Sequence, residues 1–408
     1  MEAMILSAAL DTNGQNARYV RASEKWGAHD DVLKIMAIGN SDPAGVVGRF
    51  QIAAEKLQGG VTIRSAHKAE AYFKFPSDIL WTRQNDHIVR ELAEKADVIH
   101  LNNSWRAYSR LRLRAKPALL HHHGSLFRKN SLDMLSTAKQ FGMVQAVSTV
   151  DLMEPAPDLL HWLPTAYDVD ELQAFGAAHR REPDGRIRVV SAPTNRDYKS
   201  TAKLELAVKA LQAEGLPLDL VLVEGRPWSE CMAIKATADI YFDQVILGYG
   251  CNAVEAWGMG IPVIAGAQPW TLNKMTELWG DIPFYQATED TIADAIRALV
   301  QSSDLRAEYA AKGMAHGRKY HDEKPALERL VELYMLTLKG DSTRRAEIPA
   351  VTFYCTSNKP LSHNGQPIVF TDGYYSSNDP EMVARLRYLT TRARYAISEV
   401  TETDEAVA

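Results

Sequence analysis

Cysteine is scarce in this 408-residue sequence, and the three present, Cys231, Cys251 and Cys355, share no CxxC or metal-ligand spacing. That argues against a disulfide framework and for reduced thiols in a cytoplasm. No apolar run approaches the roughly 18 residues that a membrane-spanning helix needs. The opening residues MEAMILSAALDTNG carry no basic leader of a secretory signal. The expectation is a cytoplasmic chain with no membrane span. Excess positive charge is also missing, because a net charge of −5 creates no overall field toward nucleic acid or anionic lipid. A local patch built from Arg106, Arg110, Arg112 and Arg114 remains compatible with that total, and so does a solvated surface.

What is present is alternation. The length fits two or three domains, and 46% hydrophobic with 24% charged residues is the balance of a globular chain with full cores. Apolar strand candidates at Met4 to Leu10, Leu33 to Ile38, Ile79 to Thr82, Val98 to Asn102, Ala118 to His123 and Met143 to Ser148 are separated by polar loops or helical stretches. The helices are expected at about Asn16 to Trp26, Arg49 to Leu57, Asp86 to Lys95 and Ser131 to Phe141. A second set has strands at Ile187 to Ala192, Leu218 to Val223, Ala238 to Ile246 and Pro262 to Ala265. Its helices fall at Thr201 to Glu214, Trp228 to Thr237 and Cys251 to Trp257, with more helix from Trp270 to Leu338. Such spacing predicts parallel βαβ units in doubly wound sheets, with ligands beyond the carboxyl ends of the strands. Leu160 to Asp170 lacks periodicity and His179 to Gly185 is charged and turn-rich, so a boundary is expected there. The predicted units are residues 1–180, 186–338 and, past a polar linker from Lys339 to Ala350, a small appendage over 351–395 with an acidic tail from Glu399.

The most informative stretch runs from Ala238 to Ala265. Gly248 and Gly250 permit a tight turn and close approach of a ligand, and the helix after them carries Glu255 one turn inside. Strand, glycine loop and helix together aim free N–H groups and a positive dipole end at an anion such as phosphate. The run Gly248 to Ile264, GYGCNAVEAWGMGIPVI, resembles the donor-binding signature of retaining GT-B glycosyltransferases of family 4, the glycogen-synthase-like group. The resemblance spans roughly residues 4 to 338. It implies an α/β fold of GT-B type, with two Rossmann-like doubly wound parallel-sheet domains facing a cleft. It further implies Glu255 on the ribose of a nucleotide-sugar, retention of anomeric configuration and no catalytic metal. The first glutamate of the family's pair is replaced by Leu247, and the upstream pair Asp243 and Gln244 resembles a variant that could supply the missing polar contact. An ordinary turn and an exposed helix glutamate are the plain alternative.

Other strand-end loops carry further candidates. Pro193 to Thr201 resembles the family loop that places an arginine and a lysine on the donor diphosphate. Lys199 fits that position, while Arg196 lies nearer to the lysine than is usual. With the backbone from Gly248 through Cys251 to Asn252, two such cations could neutralise a leaving diphosphate. Glu224 ends the neighbouring strand, either near the nucleotide or as a helix cap. Gly14, in the first loop Asp11 to Asn16, resembles a glycine close to donor or acceptor, and a plain turn explains it equally.

Ala118 to Arg128, ALLHHHGSLFR, resembles a family loop near the sugar. Alternation puts His121 and His123 on one face and His122 on the other, and His123, beside Gly124, is the expected cleft-facing group. A hydrogen-bonded structural histidine is the rival, and a zinc site lacks a fourth ligand. Phe370 to Tyr375 resembles small modules of phage structural proteins, which implies a phage origin. The expected partner is a nucleotide-diphosphate sugar donor, with a glycan, a virion protein or a modified DNA base as acceptor. The competing functions are a catalytically silent sugar- or nucleotide-binding protein and an epimerase of the same architecture.

Overall fold

The computed structural model describes residues 32–68, 77–113, 116–344, 351–356, 361–363, 366–371, 374–377, 382, 386 and 397–399. The expected first strand and helix, and Gly14 with its loop, lie outside these residues, as does nearly all of Pro380 to Leu389.

Seven strands form the first sheet: β1 (Leu33–Gly39), β2 (Val61–His67), β3 (Ile79–Leu80), β4 (Val98–Asn102), β5 (Ala118–His122), β6 (Val144–Val147) and β7 (Leu160–Trp162). Their order is β3-β2-β1-β4-β5-β6-β7, all parallel, so the order reverses between β1 and β4. Both faces are covered, as parallel sheets require. Ile35 and Ala37 point into a core shared with α1 (Val46–Leu57), while Met36 and Ile38 point into the core on the opposite side. The second sheet contains β8 (Ile187–Ser191), β9 (Leu218–Leu222), β10 (Ile240–Phe242), β11 (Leu247–Gly248), β12 (Val263–Ala267) and β13 (Tyr285–Gln286). It is parallel except for β11, which runs against β12. Alternation divides it likewise: Ile240 and Phe242 pack outward, and Tyr241 inward. The inward core is continuous from Met36 and Leu101 of the first lobe to Tyr241 and Trp257 of the second.

Alternating with the strands, the chain carries α2 (Asp86–Lys95), α3 (Trp105–Arg110), α4 (Gly124–Gln140), α5 (Val169–His179), α6 (Thr201–Ala213), α7 (Trp228–Ala236) and α8 (Cys251–Gly258). Then follow α9 (Pro269–Trp279), α10 (Ile292–Gln301), α11 (Ser303–His316), a π-type turn over Gly317–His321, and α12 (Glu323–Arg344). The last helix returns to the first lobe, where Ala326, Leu327, Leu330, Leu333 and Tyr334 are buried with α1 and β1. No described helix is long and apolar enough to cross a membrane. A small three-stranded antiparallel sheet follows, with Phe353, Cys355, Ile368 and Leu386 in its core.

Several elements differ from expectation. β2 falls in a stretch with no expected strand, where Arg64, Ser65 and His67 are polar; Ser65 donates its amide to Asp78 (2.8 Å) and Arg64 pairs with the same carboxylate (3.2 Å). The strand expected to continue through Ile246 stops at Phe242, since Asp243 turns its side chain onto the glycine loop. α1 starts at Val46, and α4 starts at Gly124, before Ser131. The latter is broken at Asn130, whose side chain caps the Leu126 carbonyl (2.8 Å), and only the second part has a clear helical period. The Leu160 to Asp170 stretch holds β7 and leads into α5, and the residues taken for a linker stay helical to Arg344.

Candidate functional site at the carboxyl ends of the two sheets

The glycine loop is built by backbone necessity. Gly248 has φ +93°, and a Cβ there would meet the Met275 Cε at 2.5 Å, so no other residue fits without strain. Gly250 caps α8, and its N–H donates to Asp243 Oδ2 at 2.7 Å. Lys199 pairs with the other oxygen of Asp243, and a Cβ on Gly250 would lie 3.8 Å from its ammonium. Lys199 arrives from a loop folded by Asn195, whose side chain accepts from the amides of Asp197 (3.0 Å) and Tyr198 (3.1 Å). Ser200 ends it in the left-handed region, at φ +49°. The structure thus brings Lys199, Asp243, Gly250 and the amino end of α8 together.

Arg196 does not join them. Its guanidinium is turned to Glu205 (2.6 Å) and Glu224 (2.8 Å), on the exposed side of the loop, and none of its described contacts reaches the glycine loop. Of the two cations expected together, only Lys199 stands beside the glycine loop, and Arg196 is turned away from it. Glu224 serves as an ion-pair partner of Arg196. Its spacing from the lysine permits this because a three-residue step in an irregular loop points the two side chains apart.

Glu255 is only 3% exposed, contrary to the plain reading of an exposed helix glutamate. Lys235, fully buried on α7, pairs with its Oε2 and also donates to Asn252 Oδ1 at 2.9 Å. Trp228 Nε1 donates to Oε1 at 3.1 Å, and Arg49, from α1 of the other lobe, stands 3.4 Å from the same oxygen. Burial opposes the charge, but the Lys235 ammonium, the Arg49 guanidinium and the donated hydrogen bonds outweigh it and hold the carboxyl below its ordinary value. Asn252 also donates to the Ala192 carbonyl (3.2 Å), stapling α8 to the end of β8. Gln244 is buried, and its backbone carbonyl accepts from the Gly266 amide (2.8 Å). Burial raises the Cys251 thiol above its usual value.

Tyr249, between the two glycines, is tied to the crossover. Its hydroxyl lies 3.0 Å from His316 Nε2 and 2.9 Å from His321 Nε2. Burial pushes His321 down to about 4, so it is neutral. Its Nδ1 faces the Thr165 carbonyl at 3.0 Å and must carry the proton. Nε2 then accepts from Tyr249, and Tyr249 accepts from His316.

In the first lobe, His121 and His123 share one side with ring centroids 4.0 Å apart, while His122 faces Gln145 (3.0 Å) and Phe127. His100 joins His121 (3.3 Å) and the Tyr334 hydroxyl (2.8 Å). His123 is 5% exposed, its backbone clamped by Asn103 through bonds of 2.8 and 3.1 Å, and its Nε2 meets no hydrogen-bond partner among the described residues. Burial lowers it to about 3, so at neutral pH it is an uncharged imidazole with one N–H donor and one nitrogen acceptor. Among the described residues no three His, Cys, Asp or Glu side chains group to hold a metal ion.

The arrangement of two doubly wound sheets recurs in solved structures. The fold is GT-B. An alpha-glucosyltransferase solved with UDP and a 13-mer DNA containing an HMU base is 9% identical. Its TM-score is 0.53, over 74% of this chain and 100% of that one. A glycosyltransferase from Rickettsia africae ESF-5 is 13% identical with a TM-score of 0.54, over 76% and 99%. Anabaena Alr3699/HepE in complex with UDP-glucose is 15% identical with a TM-score of 0.54, over 76% and 100%. No family model matches the chain, and no curated protein matches it in sequence. Within this GT-B frame, sequence reasoning missed Arg49, Lys235, Trp228 and Tyr249. Lys235 had a signal: it follows Met232 by three and precedes Ala236 by one, on the apolar face of α7.

Proposed function

We propose that the protein is a glycosyltransferase that moves a sugar from a nucleoside-diphosphate sugar to a hydroxyl acceptor, with retention of configuration and without a catalytic metal. The observation that carries this reading is the meeting of Lys199, the Gly250 amide and the amino end of α8 at the carboxyl edge of the second sheet. In this role Lys199 and the loop amides stabilise the leaving diphosphate, Glu255 takes the ribose hydroxyls, and neutral His123 lies toward the reacting sugar. The units are residues 1–180 on the acceptor side and 186–338 on the donor side. UDP and UDP-glucose in proteins of similar fold favour a uridine donor. The DNA in one of them keeps a modified base among the acceptors, beside a glycan and a virion protein.

The test is a panel of nucleoside-diphosphate sugars incubated with wild type and Lys199→Ala. Slow release of nucleoside diphosphate from one donor is expected. The variant should be slower by roughly a hundredfold or more, as loss of a transition-state charge contact predicts. Full activity in Lys199→Ala rejects the leaving-group role. The silent-binder reading draws on one observation: the Asp243 carboxylate already occupies Lys199 and the Gly250 amide, the groups that a phosphate would use. Tight binding of a donor with no release over hours would favour it.

A further inference from the structure

A diphosphate brings two negative charges, and the two cations of the loop before α6 are already paired. Lys199 is balanced by Asp243, and Arg196 by Glu205 and Glu224. The amino end of α8 supplies only about half an elementary charge. A further cation stands in the cleft, and it comes from the opposite lobe. Arg49 leaves the first turn of α1, lies with its guanidinium carbon 4.0 Å above the Tyr167 ring and 5.8 Å from the Trp228 ring, and keeps 13% of its side chain exposed. Its Nε donates to the Ala44 carbonyl at 3.3 Å, which fixes the root of the fork. Its charge also acts on Cys251, the first residue of α8, where a phosphate would sit.

The contact between Arg49 and Glu255 is a long one, 3.4 Å, whereas Lys235 grips the other oxygen closely from within the same lobe. Glu255 therefore keeps a buried counter-ion whether or not Arg49 is present, and a guanidinium is better matched to two phosphate oxygens than to one shared carboxylate oxygen.

We infer that Arg49 is a donor-binding residue supplied from across the cleft, which leaves Glu255 for the diphosphate of an incoming nucleotide and frees the outer oxygen of Glu255 for the ribose. Glu255 stays paired with Lys235 throughout, while Arg49 and the amino end of α8 offset most of the charge of the diphosphate. It draws the first lobe onto the donor, because the residue that grips the diphosphate is rooted in α1. The inference rests on the donor-site reading above and adds to it the residue that the second lobe lacks.

The experiment is calorimetric titration of UDP and of uridine, with GDP and guanosine alongside, into wild type, Arg49→Ala and Arg49→Lys. Expected is at least a tenfold loss of UDP affinity in Arg49→Ala with uridine affinity unchanged or tighter, and an intermediate loss in Arg49→Lys. If Arg49 serves only to latch the lobes, both ligands change by the same factor in the same direction, and the inference is overturned. Should Arg49→Ala unfold, judged by its thermal transition, Arg49→Lys alone decides: an unchanged ratio of nucleoside to diphosphate affinity refutes the claim. Wild-type protein that binds no nucleoside diphosphate refutes the donor-site reading, and this inference with it.

Discussion

Tyr249 joins the glycine loop to two histidines that lie beyond it in the chain, so one hydroxyl reports on the whole turn. Removing that hydroxyl leaves an imidazole acceptor on His321 and a donor on His316 buried without partners. Each unsatisfied group costs about 1–3 kcal/mol. Tyr249→Phe is therefore expected to lower stability by at least about 1 kcal/mol in denaturant unfolding, with the edge-to-face contact on Trp257 (4.7 Å) retained. A change within about 0.5 kcal/mol, the range of neutral surface substitutions, would show that the network contributes nothing. Residue types around the site were legible: the glycines by their position after an apolar strand, and Lys199, Asp243 and Glu255 by the resemblance of their loops to a known family. Their partners were not. Asp243 and Lys199 are 44 positions apart, and Arg49 and Glu255 206 apart, distances over which no period links one side chain to another. Arg196 misled for a related reason, since three residues of irregular loop fix no common direction.

At the scale of elements, α5 and α8 approach unusually closely. A Cβ on Gly176 would lie 2.7 Å from the Met259 Cβ, and one on Gly258 would lie 2.6 Å from Leu172 Cδ1, so each helix gives the other a groove. Backbone atoms of Met259 line one of them and cannot swing away. Gly176→Val is expected to cost about 1–3 kcal/mol by overpacking, read as a lower melting temperature. On the proposed donor site it should also weaken nucleotide binding, because the displaced helix is α8. A normal melting temperature would mean that the two helices slide apart freely. Element types were largely readable, since covered strands and amphipathic helices have different periods. α2 and β4 match their expected limits residue for residue. The failures fall where period is weak: β2, half polar, and the first half of α4, interrupted at Asn130.

Across the whole molecule, neutral imidazoles are buried in both lobes. Burial takes His100 and His123 down to about 3, His122 and His321 to about 4, and His316 to about 2. Their unfolded value is near 6.5, so below that pH the unfolded chain takes up protons that the native chain refuses. The contribution is intact above about pH 6.5 and is lost as pH falls toward 4 and below, by at most roughly 1.4 kcal/mol per pH unit for each histidine. Chemical unfolding at pH 7.5, 6.5, 5.5 and 5.0 should give a falling series, and a flat one would mean that water reaches these rings. The second global feature is α12. Leu330→Ala removes a fully buried side chain from the first lobe's core, and a loss of about 2–5 kcal/mol is expected in the same measurement. An effect below 1 kcal/mol would show that the helix merely rests on the surface.

The return of α12 also sets a timetable. The ribosome emits β1 and α1 early, yet the side chains that cover them, from Ala326 to Tyr334, leave the tunnel only after every strand of the second sheet has been made. The nascent amino-terminal half must therefore wait with an uncovered apolar face, and translation has to run past the end of α12 before that face is sealed.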